Sequence, residues 1–295
     1  MEAQFGGADG VDVASRWNGH VELCWGTVPG ADLTELITAA SEAGIAAVAA
    51  TPHHYFRARA TGLSDQSLRQ QLSVNGVRIT ILDPLLRDLP GAAPLDSLKP
   101  RDVPFFEYGE DDCYRVAEAL EIGTINVAHY LGHVVPIASL TDAIGQLGQR
   151  ARSRGFRVTV EFIPGTGIPD LHAALTIVRD VGLENVSVMF DTWHFHRSGG
   201  VLEDLAELSP ATIGALQVSD VPETMGEGKY VPMTGRLFPG DGVLPLRDIL
   251  ILILKDHPEL NVGVEVFGVA ASSMAPIDAA RRARRSIDSI LFPAG

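Results

Sequence analysis

One hydrophobic pattern recurs along the chain: an amphipathic helical stretch ends at a glycine, and a short apolar run rich in β-branched residues follows. The clearest case is residues 31–43, then Gly44, then 45–50. Equivalent glycines precede the apolar runs at 77–82, 125–128, 156–162 and 186–190. Because glycine readily takes the left-handed conformation that terminates a helix, each junction marks a helix end followed by a strand. The pattern therefore predicts strands that alternate with helices.

Further apolar runs at 21–25, 213–218 and 261–267 bring the candidate strands to eight. Strands separated by helices of this length pair in parallel through crossover connections. The runs are apolar almost throughout, so both faces of the sheet are expected to be covered. Eight such units favour a (β/α)8 TIM barrel that takes up the whole chain, 1–295, as a single domain. A doubly wound open sheet is the alternative, but no G-x-G-x-x-G turn follows the first strand.

The composition of the chain narrows the classes of function. Apolar residues make up 46% and charged residues 20% of the 295 positions, which is ordinary for a folded soluble domain. The formal net charge of -14 opposes binding to nucleic acid, since that affinity depends largely on lysine and arginine. The chain has two cysteines, no secretory signal and no apolar run near the roughly 18 residues of a membrane span. A cytoplasmic protein without a membrane partner is therefore expected.

Three late strands carry one acid each near the C-terminal end: Glu161, Asp191 and Glu265. An ionised carboxylate in an apolar strand needs a compensating partner, and these strands contain too few lysines and arginines to match the acids. Because the carboxyl ends of barrel strands surround one pocket, the three acids are expected to converge. Gln217 stands at the corresponding height on the seventh strand. The four oxygen donors predict a site for one divalent cation, Mn²⁺, Mg²⁺ or Co²⁺, with ordinary salt-bridged strand residues as the alternative.

Three basic residues that follow strands are candidates for contact with a substrate. His194, three residues after Asp191, is placed to reach a substrate oxygen or to act as an acid–base group, or else is a surface histidine. Arg236 precedes a Pro-Gly turn that can aim its guanidinium into the pocket, with a solvated loop arginine as the alternative. His54 follows the second strand, beside His53, and either lines the pocket or is an ordinary loop histidine.

Three connections are longer than the scaffold needs, at 56–75, 84–112 and 221–242. All three follow strands, which places them on the face where barrel enzymes bind substrate. They are therefore candidate lids over the pocket.

At these positions the chain resembles the xylose-isomerase-like barrel superfamily of sugar isomerases, epimerases and related lyases, and the match runs through most of the chain. Its most specific motifs are VEF at 160–162, FDTWHFHRSG at 190–199, QVSD at 217–220, RLFPGDG at 236–242 and VEVF at 264–267. The resemblance implies that His194 and Arg236 contact substrate and that the metal ligands are Glu161, Asp191, Gln217 and Glu265. The chain departs from the sugar epimerases at Gln217, where they usually carry histidine. Some dehydratases of cyclic polyhydroxylated keto compounds carry glutamine there.

Two activities are consistent with this resemblance. The first is an isomerase or epimerase of a sugar or polyol ketone, in which the metal stabilises an enediolate while Glu161 and Glu265 remove and return a proton. The alternative is a dehydratase of a cyclic compound such as inosose or 3-dehydroshikimate, a keto acid whose carboxylate would suit Arg236. The net charge and missing histidine ligands disfavour an abasic-site endonuclease, and the intact ligand set disfavours a non-catalytic binding barrel. A small-molecule sugar, polyol or keto acid is the expected partner, and a homodimer is left open.

Overall fold

The computed structural model describes residues 13–206, 208–209, 212–224 and 233–293. Eight parallel strands pair in chain order, and the last closes against the first. This confirms the closed eight-stranded barrel that the alternating pattern predicts. The strands are β1 (Val21–Cys24), β2 (Ala47–Ala50), β3 (Arg78–Leu85), β4 (Thr124–Ala128), β5 (Arg157–Glu161), β6 (Val186–Asp191), β7 (Ile213–Val218) and β8 (Val262–Val264).

Helices connect these strands and cover the outside of the barrel, so that the main apolar core lies between the sheet and the helices. Two short 3₁₀ turns, Trp25–Thr27 and Leu95–Ser97, lie in the connections. Among the described residues, no helix combines the length and apolar character needed to cross a bilayer. After β1 the helices are α1 (Leu33–Glu42), α2 (Pro52–Ala60), α3 (Asp65–Asn75), α4 (Val103–Phe106), α5 (Glu110–Leu120), α6 (Ile137–Ser153), α7 (Leu171–Val181), α8 (Thr192–Arg197), α9 (Leu202–Ala206), α10 (Leu246–Leu254), α11 (Val269–Ser272) and α12 (Pro276–Leu291).

The predicted glycine junctions account for four of the helix ends, at Gly44, Gly76, Gly155 and Gly182. Gly76 and Gly182 take the left-handed conformation immediately after α3 and α7, with φ of 64° and 63°. The prediction was wrong at Gly123, because α5 ends earlier and Glu121 takes the left-handed conformation instead, with φ of 59°. A glycine near a helix end thus predicts that a helix ends there more reliably than it predicts the exact last residue of the helix.

The interior of the barrel is layered. Its middle is a small apolar cluster of five buried residues, Cys24, Ala49, Ile81, Met189 and Ala215. Both cysteines are buried free thiols. Polar side chains fill the barrel on either side of the apolar cluster, and those at the carboxyl ends of the strands form the site described below.

The three long connections are only partly irregular. The first, 56–75, folds into the end of α2 and the whole of α3, and the second, 84–112, contains α4 and the start of α5. In the third, 221–242, residues 225–232 lie outside the described part of the chain. A lid role for the connections therefore stays a prediction.

Candidate active site

The four predicted metal ligands meet at the carboxyl-terminal mouth of the barrel. Glu161 and Asp191 are the last residues of β5 and β6, Gln217 lies opposite Asp191 in the pairing of β6 with β7, and Glu265 directly follows β8. All four side chains are buried, with at most 6% of the residue exposed. The repeating strand geometry explains the convergence, since equivalent positions on neighbouring parallel strands face the same lumen.

Asp191 joins the site to the helix that follows it. One carboxylate oxygen, Oδ1, accepts hydrogen bonds from the backbone N–H groups of Trp193 (2.7 Å) and His194 (3.0 Å), which caps the start of α8. The other oxygen, Oδ2, faces the barrel mouth, where it meets Arg236. Capping fixes the carboxylate orientation, because the first N–H groups of a helix lack partners within the helix.

His194 is brought to the acids by the same helix. Its Nε2 lies 3.3 Å from Glu161 Oε1 and 3.9 Å from Asp191 Oδ2. One ligand atom from each of Glu161, Asp191 and His194 lies within 4.8 Å of the other two, so this buried triad could hold a metal ion. Sequence analysis assigns His194 to the substrate, whereas the structure places it as close to the acids as a ligand would be. Its role stays a prediction.

Arg236 is a buried ion-pair partner within the same cluster. Its Nη1 donates to Asp191 Oδ2 at 2.7 Å and to Glu265 Oε2 at 3.1 Å, and its Nη2 lies 3.3 Å from His194 Nε2. The guanidinium carbon also lies 5.2 Å from the ring centroid of Phe267. The sequence predicts a substrate contact here, and the structure shows a guanidinium that is already paired with two of the acids.

Asp83, at the end of β3, is a site residue to which sequence analysis assigns no role. It is 3% exposed and accepts hydrogen bonds from Asn126 Nδ2 (2.7 Å), Gln217 Nε2 (3.1 Å) and Trp25 Nε1 (3.3 Å). The signal was present, because Asp83 is an acid near the end of an apolar strand, like Glu161. The proline that follows it made the strand end look like the start of a loop.

Asn126 and Gln217 are the amides that organise the acids. Asn126 Nδ2 also donates to Glu161 Oε2 at 2.8 Å, so it bridges Asp83 and Glu161. Gln217 Nε2 contacts Asp83 and, at 3.3 Å, Glu265 Oε1. Within the described residues, Gln217 Oε1 is buried without a hydrogen-bond partner. A buried amide oxygen of this kind costs free energy unless a donor or a cation reaches it.

Among the residues that the structure describes, the acids of the cluster outnumber its guanidinium groups. Asp83, Glu161, Asp191 and Glu265 place four carboxyl groups around a single guanidinium. Burial raises the pKa of Glu265 well above its ordinary value. The pKa of Asp83 is raised to about 7, mainly by burial and secondly by the negative charge of Glu161. Burial also pushes the pKa of Asp191 upward, but the charges of Arg236 and His194 outweigh it and leave that pKa lowered.

A divalent cation fits this donor set. It would offset the excess of negative charge and give the Gln217 oxygen a partner. Carboxylate and amide oxygens with one imidazole suit a first-row metal or Mg²⁺ rather than a thiolate-bound structural zinc.

The cavity between these groups is small. Its volume is about 50 Å³, and it is lined by Trp25, Tyr130, His194, Arg236 and Phe267 together with Asp83, Glu161 and Glu265. That volume holds one or two water molecules, and a polyol needs more space than this.

His54 does not line this cavity. Its Nδ1 accepts a hydrogen bond from the N–H of Thr51 (3.2 Å) at the start of α2, and its Nε2 lies 3.2 Å from the carbonyl oxygen of Ala31. A substrate contact by His54 stays a prediction that this geometry does not support.

Known proteins show the same fold and related sequences. The family model described as "Xylose isomerase-like TIM barrel" matches residues 37–290. A protein from Bacillus licheniformis named inosose isomerase is 32% identical over 133 residues, which are 44% of this chain and 47% of that protein. One of the same name from Halalkalibacterium halodurans is 28% identical over 131 residues, 44% of this chain and 46% of that protein. The matches thus span about half the length of these curated relatives.

Among solved structures, the IOLI protein with a binding zinc atom superimposes with a TM-score of 0.77. The superposition covers 92% of this chain and 98% of that one at 16% identity. At this identity the likeness concerns the fold.

Proposed function

This chain belongs to the xylose isomerase-like TIM-barrel family, and from that premise we propose that it is a divalent-metal-dependent isomerase or epimerase of a neutral polyol ketone of the inosose class. The observation that carries the proposal is the buried cluster of Glu161, Asp191, Glu265 and His194 at the barrel mouth. It provides metal donors and proton acceptors within one small volume. The names of the two curated relatives support the choice of substrate class.

The position of Arg236 favours a neutral ketone over a keto acid. A substrate carboxylate in the buried mouth would need a cation of its own. The Arg236 guanidinium already faces Asp191 and Glu265, at 2.7 and 3.1 Å. The carboxylate of a keto acid would compete with Asp191 and Glu265 for the Arg236 guanidinium. The hydroxyl and carbonyl groups of a neutral ketone do not need to displace either carboxylate.

Glu161, Asp191, Gln217 and Glu265 would hold the metal, with His194 beside them, and Mn²⁺, Mg²⁺ or Co²⁺ suits these donors. When bound, such a cation polarises a carbonyl oxygen as a Lewis acid. Asp83 acts as a positioning residue, because it accepts the hydrogen bond of Gln217 Nε2 and thereby directs the amide.

The two glutamates divide the proton transfer between them. Glu161, held by Asn126 and His194, accepts the proton from the carbon next to the carbonyl, and the C–H electron pair moves towards the carbonyl oxygen. Glu265, the second buried glutamate at the mouth, returns a proton to the carbon skeleton. Return to the same carbon from the opposite face gives an epimer. Return to the former carbonyl carbon gives an isomer, with His194 placed to move the hydroxyl proton between the oxygens.

The test is deuterium incorporation. The Mn²⁺-loaded protein is incubated in D₂O with inosose, with a ketose and with 3-dehydroshikimate, and the products are followed by NMR. We expect deuterium next to the carbonyl of inosose, with all oxygens retained. Glu161→Gln and Glu265→Gln should each reduce the rate at least about 100-fold, consistent with loss of a general acid or base. Glu42→Gln, the same change on the exposed end of α1, should leave the rate unchanged.

Three results would overturn the proposal. Loss of water from inosose or 3-dehydroshikimate would make the enzyme a dehydratase. Full turnover after exhaustive chelation would remove the metal from the reaction. Absence of exchange with every ketone would exclude this class of chemistry at the site.

A further inference from the structure

A second cavity opens at the amino-terminal mouth of the barrel, opposite the candidate active site. Its volume is about 790 Å³, within the range of small-molecule sites. The apolar cluster of Cys24, Ala49, Ile81, Met189 and Ala215 separates it from the carboxylates above. Its inner wall carries hydroxyl, amide and carboxyl groups, contributed by Glu22, Thr80, Thr124, Thr159, Ser187 and Asn261.

Glu22 is the deepest charged group in this cavity and only 1% exposed. Its Oε2 accepts hydrogen bonds from Thr80 Oγ1 and from Asn261 Nδ2, the latter at 3.3 Å. Its Oε1 accepts no hydrogen bond from the described residues and lies on the side of Gly263, 3.4 Å from the position of a Cβ at that glycine. Burial raises the pKa of Glu22. This oxygen is open to the cavity, where water or a ligand can donate a hydrogen bond to it.

Two glycines keep the wall open around these groups. A Cβ at Gly214 would lie 1.9 Å from Ser187 Oγ, and a Cβ at Gly263 would lie 3.0 Å from Cys24 Sγ. Side chains at either position would therefore displace the serine hydroxyl or press on the apolar layer. The small residues leave the hydroxyl and carboxyl groups accessible from the mouth.

The rim carries both signs of charge. Arg78 and Arg157 lie at the starts of β3 and β5, and Glu121 and Glu184 lie in neighbouring connections. With Arg69 and Glu259 also in the lining, three arginines stand against three glutamates at the rim, which gives it no excess of either charge to select an ion. The hydroxyl groups and the Glu22 carboxyl inside instead match the alternating donors and acceptors of a polyol.

From these observations we propose that the amino-terminal mouth is a second binding site, specific for an uncharged polyol or sugar whose hydroxyl groups bond to Glu22, Thr159 and Ser187. The site is connected to the catalytic end through hydrogen bonds. Thr159 Oγ1 donates to Asn126 Oδ1 at 2.9 Å, and Asn126 Nδ2 donates to Glu161 at 2.8 Å. A ligand that bonds to Thr159 therefore contacts the support of a proposed catalytic carboxylate.

The three tryptophans allow the two mouths to be observed separately. Trp17 Nε1 donates to the carbonyl oxygen of Leu260, a residue that lines the second cavity. Trp25 Nε1 donates to Asp83 at the catalytic mouth, and Trp193 packs near Arg236 there. Protein labelled with 5-fluorotryptophan should therefore give one ¹⁹F resonance for the amino-terminal mouth and two for the catalytic mouth, assigned with a Trp17→Phe variant.

The probe is myo-inositol, a cyclic polyol without a carbonyl group, so binding is measured without turnover. We expect a saturable shift of the Trp17 resonance. Glu22→Gln should weaken this binding about tenfold, because the amide replaces one carboxyl oxygen with a hydrogen-bond donor. Ser187→Ala is a milder variant that keeps the test possible if Glu22→Gln does not fold. It should weaken binding about threefold. Glu265→Gln, at the other mouth, should leave the Trp17 titration unchanged.

Several outcomes would overturn the second site. A Trp17 resonance that does not move at saturating myo-inositol excludes binding there. Shifts confined to Trp25 and Trp193 assign the polyol to the catalytic mouth alone. A titration that Glu22→Gln and Ser187→Ala both leave unchanged removes the proposed contacts. None of these results depends on the reaction catalysed, so failure of this inference and failure of the proposed function are distinguishable.

Discussion

His54 gives the sharpest stability prediction. The N–H of Thr51 donates to His54 Nδ1, so the ring is a hydrogen-bond acceptor at this atom and its Nε2–H faces the carbonyl of Ala31. Protonation of Nδ1 would remove the acceptor and place a charge in a buried position. Burial lowers the pKa of His54 from 6.5 to about 4, despite the opposing effect of the Ala31 carbonyl. His54 therefore stabilises the fold only while it is neutral.

The sign and size of the effect follow from linkage. A histidine with a lowered pKa binds its proton more weakly in the folded than in the unfolded state. Its contribution is complete above pH 6.5 and is lost as the pH falls towards 4. The shift spans between two and three pKa units, and each unit corresponds to about 1.4 kcal/mol, so acidification to pH 4 should cost about 3 kcal/mol through His54.

The matched variant is His54→Gln. Glutamine at this position keeps a capping box with Thr51, because its side-chain oxygen can accept the same backbone N–H without titrating. Urea unfolding of wild type and variant, followed by circular dichroism from pH 8 to pH 4 in the presence of chelator, gives the difference in free energy of unfolding. The other histidines are the same in both proteins, so their effects on the difference cancel. The difference should shift by about 3 kcal/mol in favour of the variant across this range.

The same substitution at His172, an exposed residue of α7, is the control. A difference between wild type and His54→Gln that stays constant from pH 8 to pH 4 would refute the reasoning. If the variant unfolds like wild type at pH 8 but has a KM at least tenfold higher, His54 contacts substrate after all.

Three further outcomes concern the active site. Mn²⁺ added to chelator-treated protein should raise Tm, because a cation offsets the excess of buried negative charge. Glu161→Gln should reduce that rise, whereas Glu42→Gln should not. Equal rises in all three proteins would contradict the metal site. In the presence of chelator, Arg236→Met should lower the free energy of unfolding by about 3–5 kcal/mol, since it breaks the buried ion pairs with Asp191 and Glu265. A loss below about 1 kcal/mol in urea unfolding would mean that these ion pairs add little net stability. Asp83→Asn should weaken Mn²⁺ binding about 10- to 100-fold in calorimetric titration, because Gln217 Nε2 loses its carboxylate partner. An unchanged affinity for Mn²⁺ would exclude a positioning role for Asp83.

The strand–helix alternation could be predicted from the sequence because it depends on interactions between residues that are close in the chain. Apolar runs between amphipathic stretches indicate strands covered on both faces, and glycine at Gly76 and Gly182 ends a helix wherever the chain lies in space. The closed barrel follows from eight such units and is confirmed. The exact helix end before β4 was missed, since Glu121 took a conformation that its residue type does not favour.

The acids at strand ends were also identifiable one by one. Glu161, Asp191 and Glu265 stood out because a carboxylate in an apolar strand is unusual, and strand parity then places them at one mouth. Their catalytic and metal-binding roles remain predictions that the experiments above address.

Which groups these acids contact was decided only by the tertiary structure. The ion pairs of Arg236 join residues 45 and 29 positions apart, and the bond from Gln217 to Asp83 joins residues 134 apart. Such contacts depend on how the strands are staggered when the ring closes, including the irregular pairing of β3 with both neighbours. A sequence pattern specifies the period and the face of each strand, whereas the stagger of the closed barrel sets the height at which side chains from distant segments meet.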